Sequence, residues 1–182
     1  MVAAMTRLLL IRHAPAITGG RLAGRRDVPA DCSDTAAAAR LAAVLPDPAA
    51  VWISPALRCQ QTAALLGLSG ETRPALWEQD FGAWEGAAYA DLPDPGDLEA
   101  TALAALRPPG GESFADMAAR VLPVLQQARD EVVIVAHAGT VRAALSLVIG
   151  DAALSFAVAP LSLTEITRAG RHWAVSYVNR QP

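Results

Sequence analysis

The chain has 182 residues, 53% of them hydrophobic and 18% charged, which is enough for one domain with a sizeable core and too apolar for a disordered chain. All 15 basic residues are arginines, so lysine Schiff-base chemistry and the lysine of a P-loop are excluded. A net charge of -3 gives no overall attraction to nucleic acid or anionic lipid, and any anionic ligand must be held by a local arginine cluster.

Cys32 and Cys59 form no C-x-x-C pair and are too few for a disulfide framework, which fits a reducing compartment and indicates no zinc site. The apolar burst at 8–11 is too short for a signal peptide. The apolar tract 143–164 is broken by Gly150, Asp151 and Pro160. A cytoplasmic location without a membrane span is therefore expected.

In chain order, residues 7–11 are a continuous aliphatic run ending in Arg12 and His13, the pattern of a strand buried on both faces. A glycine- and arginine-rich loop follows over 14–30. The alanine-rich stretch 33–45, with Ser33 or Asp34 as N-cap and Pro46 after it, predicts a helix. Residues 50–53 predict a short strand, and Ser54 and Pro55 supply a cap and a first-turn proline for a helix over 56–66 before Gly67. A third strand is predicted over 72–76. The aromatic, glycine-punctuated segment 77–94 reads as a long loop of the kind that carries function.

Helices are predicted over 98–106 and, with Ser113 near its start, over 112–130, separated by the turn Pro108-Pro109-Gly110-Gly111. Residues 131–136 are again a buried strand, His137-Ala138-Gly139 a tight turn and 140–149 a helix. The tail, 161–167 and 172–178 around Ala169-Gly170, reads as a hairpin. Strand, loop and helix recur in order, which predicts an α/β fold with a mostly parallel sheet and an antiparallel edge strand, in a single domain over 1–182.

In such a sheet ligands bind outside the carboxyl ends of the strands. Of only three histidines, His13 follows the first strand and His137 the fourth. Arg12 adjoins the first, and Arg58 sits near the start of the helix after the second strand. Singly, each is explained as a satisfied polar group or a solvated arginine; together they can converge on one anion. His172, on the edge hairpin, reads as a surface residue.

These residues resemble the histidine phosphatase superfamily, which includes the phosphoglycerate mutases. Leu8-Leu9-Leu10-Ile11-Arg12-His13 is similar to its strand and R-H-G motif, and Ser54-Pro55-Ala56-Leu57-Arg58 with Gln61-Thr62-Ala63 to its S-P-L-x-R-x-x-Q-T-A helix start. Residues 132–139 with Val141-Arg142-Ala143 resemble its second histidine and following helix. Glu78, in Trp77-Glu78-Gln79-Asp80-Phe81-Gly82-Ala83-Trp84-Glu85-Gly86, resembles the acid of its L-x-E-x-x-F-G-x-W-E-G segment, and Gly110-Gly111-Glu112-Ser113 resembles its G-G-E-S turn. The five segments occur in the family's order over nearly the whole chain. Ala14 stands where the motif usually has glycine, and Ala30-Asp31-Cys32-Ser33-Asp34-Thr35 replaces its L-T-x-x-G.

The resemblance implies a three-layer α/β/α sandwich of the phosphoglycerate mutase type and a phosphohistidine route. His13 is the expected nucleophile, Glu78 the expected general acid, and Arg12, Arg58 and His137 complete the catalytic set. Arg12, Arg58, His137 and the backbone amides from Ala138 onward are expected to bind phosphate. Glu85 is the competing carboxylate, read as structural or at the substrate rim. Trp77 and Trp84 read as loop packing; Arg21, Arg25 and Arg26 read as a solvated loop, with contact between one of them and substrate left open.

The implied partner is a small phosphorylated metabolite, with no cofactor, no metal and no nucleic acid; a homodimer is left open. Compact size and the F-G-x-W-E-G segment resemble the α-ribazole phosphatases of cobalamin synthesis most closely. A broad-specificity sugar or nucleotide phosphatase, a phosphoglycerate mutase and a non-catalytic phosphate-ligand binding protein are the alternatives.

Overall fold

A computed structural model describes residues 5–182. Six strands form one sheet: β1 (Met5–Arg12), β2 (Ala50–Ile53), β3 (Glu71–Thr72), β4 (Glu131–Ala136), β5 (Leu163–Ala169) and β6 (His172–Arg180). Their spatial order is β3-β2-β4-β1-β5-β6. β1 pairs in parallel with β4, as do β4 with β2 and β2 with β3, whereas β5 runs antiparallel to both β1 and β6.

Continuous aliphatic sequence is required in β1 and β4 because both faces of the sheet are covered. Leu8, Leu10, Val132 and Ile134 face a core shared with α4 (Phe114–Gln126) and α5 (Ala138–Ile149). Leu9, Ile11, Val133 and Val135 face a second core with α1 (Thr35–Val44) and α2 (Leu57–Leu65), and α3 (Ala100–Ala105) flanks the first. The three layers follow directly from this alternation of side chains.

The segment Ala138–Ser155, α5 with the 3-10 turn after it, has the length and apolarity of a membrane span by composition. Its Val141, Ala143, Ala144 and Leu145 are packed in the first core, the place of an interior helix.

Register positions the site. Arg12 pairs with Ala136, and Ile53 pairs with Val135, so Arg12, Ser54 and His137 leave three neighbouring strands at one level. The ladder continues one step further: the His13 amide donates to Ala136 O at 3.0 Å and the Ser54 amide to Val135 O at 3.0 Å.

Several element expectations need correction. The third strand is only two residues long, because Pro74 opens a 3-10 turn over Pro74–Leu76 where the sequence reads as strand. Ser54 does not cap α2: the helix has no side-chain cap of its own, and the amide of Leu57 instead donates to Asp27 Oδ1 at 2.7 Å from the preceding loop. The helix expected over 112–130 is Phe114–Gln126, opened by a capping box between Ser113 and Asp116. α5 begins earlier than expected, at Ala138, with His137 in the N-cap position.

Candidate active site

His13 is 5% exposed, and its Nδ1 lies 2.7 Å from its neighbour's carbonyl oxygen, Ala14 O. A carbonyl only accepts, so Nδ1 carries the ring proton and Nε2 carries the lone pair. Arg58 Nε donates to that Nε2 at 3.3 Å. Burial, joined by the positive charges of Arg58 and Arg12, pushes the His13 pKa down to about 3. The imidazole is therefore neutral at physiological pH, and its unprotonated Nε2, facing Arg58, has the lone pair of a nucleophile.

His137 is completely buried, with Nε2 2.8 Å from Ser54 Oγ and Nδ1 3.3 Å from Arg58 Nη2. Because a guanidinium only donates, Nδ1 accepts and Nε2–H donates to the serine hydroxyl. Burial and the charge of Arg58 hold its pKa well below the ordinary histidine range. The two imidazoles meet edge to face, with centroids 5.2 Å apart at 70°.

Arg58 is 1% exposed and anchored from behind by two carbonyls, Gly24 O at 2.8 Å and Arg26 O at 3.2 Å. Arg12 donates to Val158 O at 2.5 Å, while its Nε is buried without a hydrogen-bond partner. Burial lowers its pKa. Neither arginine belongs to an ion pair among the described residues, although buried cations are costly unless paired. A buried guanidinium, Arg58, and a half-buried one, Arg12, set around a neutral histidine form a small-anion site, and planar forks of this kind suit phosphate oxygens.

Glu78 reaches the same place from the long loop. Its Oε2 accepts from the Gly139 amide at 3.3 Å and its Oε1 from the Gln79 amide at 2.9 Å. The amide that meets this carboxylate in the first turn of α5 is thus that of Gly139. A Cβ at 139 would lie 2.1 Å from Glu78 Oε1, so only glycine permits the approach.

The structure brings Arg12, His13, Arg58, Glu78 and His137 to the carboxyl ends of β1, β2 and β4. It leaves His172 exposed on the edge hairpin, as expected. Ala14 has no positive φ, and its amide donates to Thr62 Oγ1 at 2.9 Å, so the position has no need of glycine. Cys59 Sγ lies 3.6 Å from His137 Nε2, but burial pushes its thiol up to about 12, which keeps it protonated and unreactive.

Glu85 has a structural role. Its carboxylate accepts from the amides of Gly24, Arg25, Arg26 and Phe81 at 2.8 to 3.2 Å, and so fixes the loop whose carbonyls hold Arg58. The basic loop is engaged by neighbouring protein groups: Arg21 donates to Gly86 O, and Arg25 lies over the Trp77 ring, 3.7 Å from Glu112.

Sequence reasoning missed the support of Glu78. Arg120 on α4 donates to the carbonyls of Ala75, Trp77 and Glu78 at 2.7 to 2.9 Å, and is itself gripped by both oxygens of Glu112 at 2.8 Å. It also missed Ser54 as the partner of His137 and Thr62 as the partner of Ala14. The sole signal for these residues was their place inside quoted motifs, and Arg120 had none.

Comparison with known proteins identifies the family. The family model of the histidine phosphatase superfamily (branch 1) matches residues 8–181. The structure resembles TTHB049 from Thermus thermophilus, with a TM-score of 0.75 and 36% identity over 88% of this chain and 92% of that one. It shares its fold with the mycobacterial glucosyl-3-phosphoglycerate phosphatase, with a TM-score of 0.80 and 24% identity over 96% and 99% of the two chains.

A Caenorhabditis elegans 6-phosphofructo-2-kinase/fructose-2,6-bisphosphatase is 35% identical over 104 residues. Those cover 53% of this chain and only 23% of that much longer protein. With the family match running from the first core strand to the end of the last, the chain belongs to the histidine phosphatase superfamily.

Proposed function

We propose that the protein hydrolyses a small-molecule phosphate monoester through a phosphohistidine on His13. The observation that carries this reading is the His13 Nε2 lone pair, held neutral and aimed at Arg58 in a buried cationic pocket. Arg12 and Arg58 bind the phosphoryl oxygens and offset the charge that spreads over them in the transition state. Nε2 attacks phosphorus in line, the P–O ester bond breaks, and Glu78, which enters this step protonated, gives its proton to the departing alkoxide. The Glu78 carboxylate then takes a proton from water, which attacks the phosphohistidine, releases inorganic phosphate and returns His13 to its neutral form. His137, which donates to Ser54 and accepts from Arg58, holds in place the guanidinium that faces the transferring group.

Two of the relatives named above are phosphatases by name, which supports the reaction class. The specific substrate we propose is α-ribazole 5'-phosphate, on the resemblance of the compact chain and its W-E-x-x-F-G-x-W-E-G segment to that branch. The test is hydrolysis of p-nitrophenyl phosphate and of α-ribazole 5'-phosphate in the presence of chelator. Turnover of both by the wild type, lost in His13→Ala, is expected. Turnover of the first without the second would leave the reaction and remove the substrate.

A further inference from the structure

A cavity of about 240 Å³ adjoins the Glu78 loop, lined by Phe81, Trp84, Leu103, Phe114 and Leu154 among others. Two of its lining residues tie it to the acid. Gln79 donates its backbone amide to Glu78 Oε1, and Arg142 sits one turn along α5 from Gly139, whose amide meets Glu78 Oε2. The cavity thus adjoins the backbone that holds the acid, on the loop and on the first turns of α5.

The wall is aromatic and aliphatic, drawn from the long loop, α3, the start of α4 and the 3-10 turn after α5. It displays no carboxylate, and its polar members are Gln79 and Arg142. The Gln79 side-chain amide donates to Glu112 O at 2.7 Å, and Arg142 Nε donates to Phe156 O at 3.1 Å. With Gln79 and Arg142 Nε so engaged, the terminal nitrogens of Arg142 are the donors the wall keeps for a polyhydroxylated group, whereas an apolar ring gains by leaving water along the rest of it. A planar guanidinium at the rim adds a face on which an aryl group can stack.

We propose that this cavity is the leaving-group subsite and that it selects phosphate monoesters whose alcohol carries an uncharged aromatic or bulky apolar group. The proposal rests on the phosphatase reading above and narrows its substrate class. At this volume the cavity takes one ring system, below the usual size of a pocket for a drug-sized ligand.

The test compares three primary alkyl phosphates of similar leaving-group basicity: 2-phenylethyl phosphate, ethyl phosphate and glycerol 3-phosphate. All three need the same proton from Glu78, so differences report the subsite alone. The wild type should favour 2-phenylethyl phosphate by at least about tenfold in kcat/KM, the discrimination an apolar pocket typically gives. Leu103→Glu, which puts a charge in the wall, should narrow that ratio mainly through KM.

Calorimetry with 2-phenylethylphosphonate and ethylphosphonate provides a binding readout independent of turnover and should show the same order. Equal kcat/KM for the three esters, with p-nitrophenyl phosphate still hydrolysed, would overturn the subsite and leave the phosphatase reading standing. Absence of turnover with every ester would overturn both.

Discussion

Arg58 Nε points at His13 Nε2 across 3.3 Å, while His13 gives its only ring proton to its own neighbour's carbonyl, Ala14 O. The arginine thus faces the very atom that must attack phosphorus, and any phosphoryl group transferred there arrives against a guanidinium. Arg58→Ala should lower kcat by roughly 10² to 10³, the cost of losing one preorganised charge-stabilising donor. The loss should be the same for alkyl and p-nitrophenyl esters, because the phosphoryl group is common to both. A loss confined to one class of ester would place Arg58 at the leaving group instead.

The buried imidazoles make stability depend on pH in a defined direction. The His13 pKa falls from 6.5 to about 3 on folding and that of His137 also falls well below 6.5, so in the acid range beneath 6.5 the unfolded chain binds more protons. Stability is then full above pH 6.5 and is lost as pH falls through this window, at up to about 1.4 kcal/mol per pH unit for each imidazole. Urea unfolding between pH 7 and pH 4.5 measures it. His13→Gln should flatten the slope relative to wild type, and an unchanged slope would mean that His13 is protonated in the folded state.

Glu78→Gln separates the acid role from phosphate binding. An alkyl phosphate should slow by about 10² to 10⁴, the usual contribution of general acid catalysis. The burst of p-nitrophenol release should slow far less, since that leaving group departs without a proton. Equal losses in the burst step for the two substrates would remove the acid role from Glu78.

Arg120 and Glu112 form the clamp behind that acid, and their loss should be visible in the same comparison. Arg120→Ala frees the carbonyls of Ala75, Trp77 and Glu78, so its alkyl phosphate rate should drop by about tenfold while the p-nitrophenyl burst changes little. Arg120→Lys should recover little, because one ammonium cannot reproduce the fork that engages both Glu112 oxygens and three carbonyls. Equal slowing of both substrates in Arg120→Ala would mark a general loss of folding in place of a positioning role.

The parts of the fold most legible in the sequence were those set by continuous apolar runs. β4 falls where the run 131–136 places it, and among the described residues β1 spans Met5–Arg12 around its predicted 7–11. Arg12, His13 and His137 were legible for the same reason, because the end of such a run fixes where the next polar side chain emerges. Short-range signals failed where a tertiary partner prevailed over them. Ser54 has the sequence of an N-cap, yet its hydroxyl turns to His137 Nε2, and Asp27 serves the helix amide from 30 residues away.

Arg120 was illegible because nothing local distinguishes one arginine on an amphipathic helix from another. Its carbonyl partner at Glu78 is 42 residues distant. Glu85, one of two glutamates in the same loop, was read as structural or at the substrate rim, and its four amide partners decide for the structural place.

The most direct test is to trap the covalent intermediate. Labelled substrate mixed rapidly with enzyme and quenched without acid should give a phosphoenzyme that survives alkali and decays in acid, with the label on the peptide containing His13. His13→Ala should give none and should not turn over. An unlabelled wild-type enzyme under turnover, or a His13→Ala variant with normal activity, would contradict the assignment of His13 Nε2 as the nucleophile.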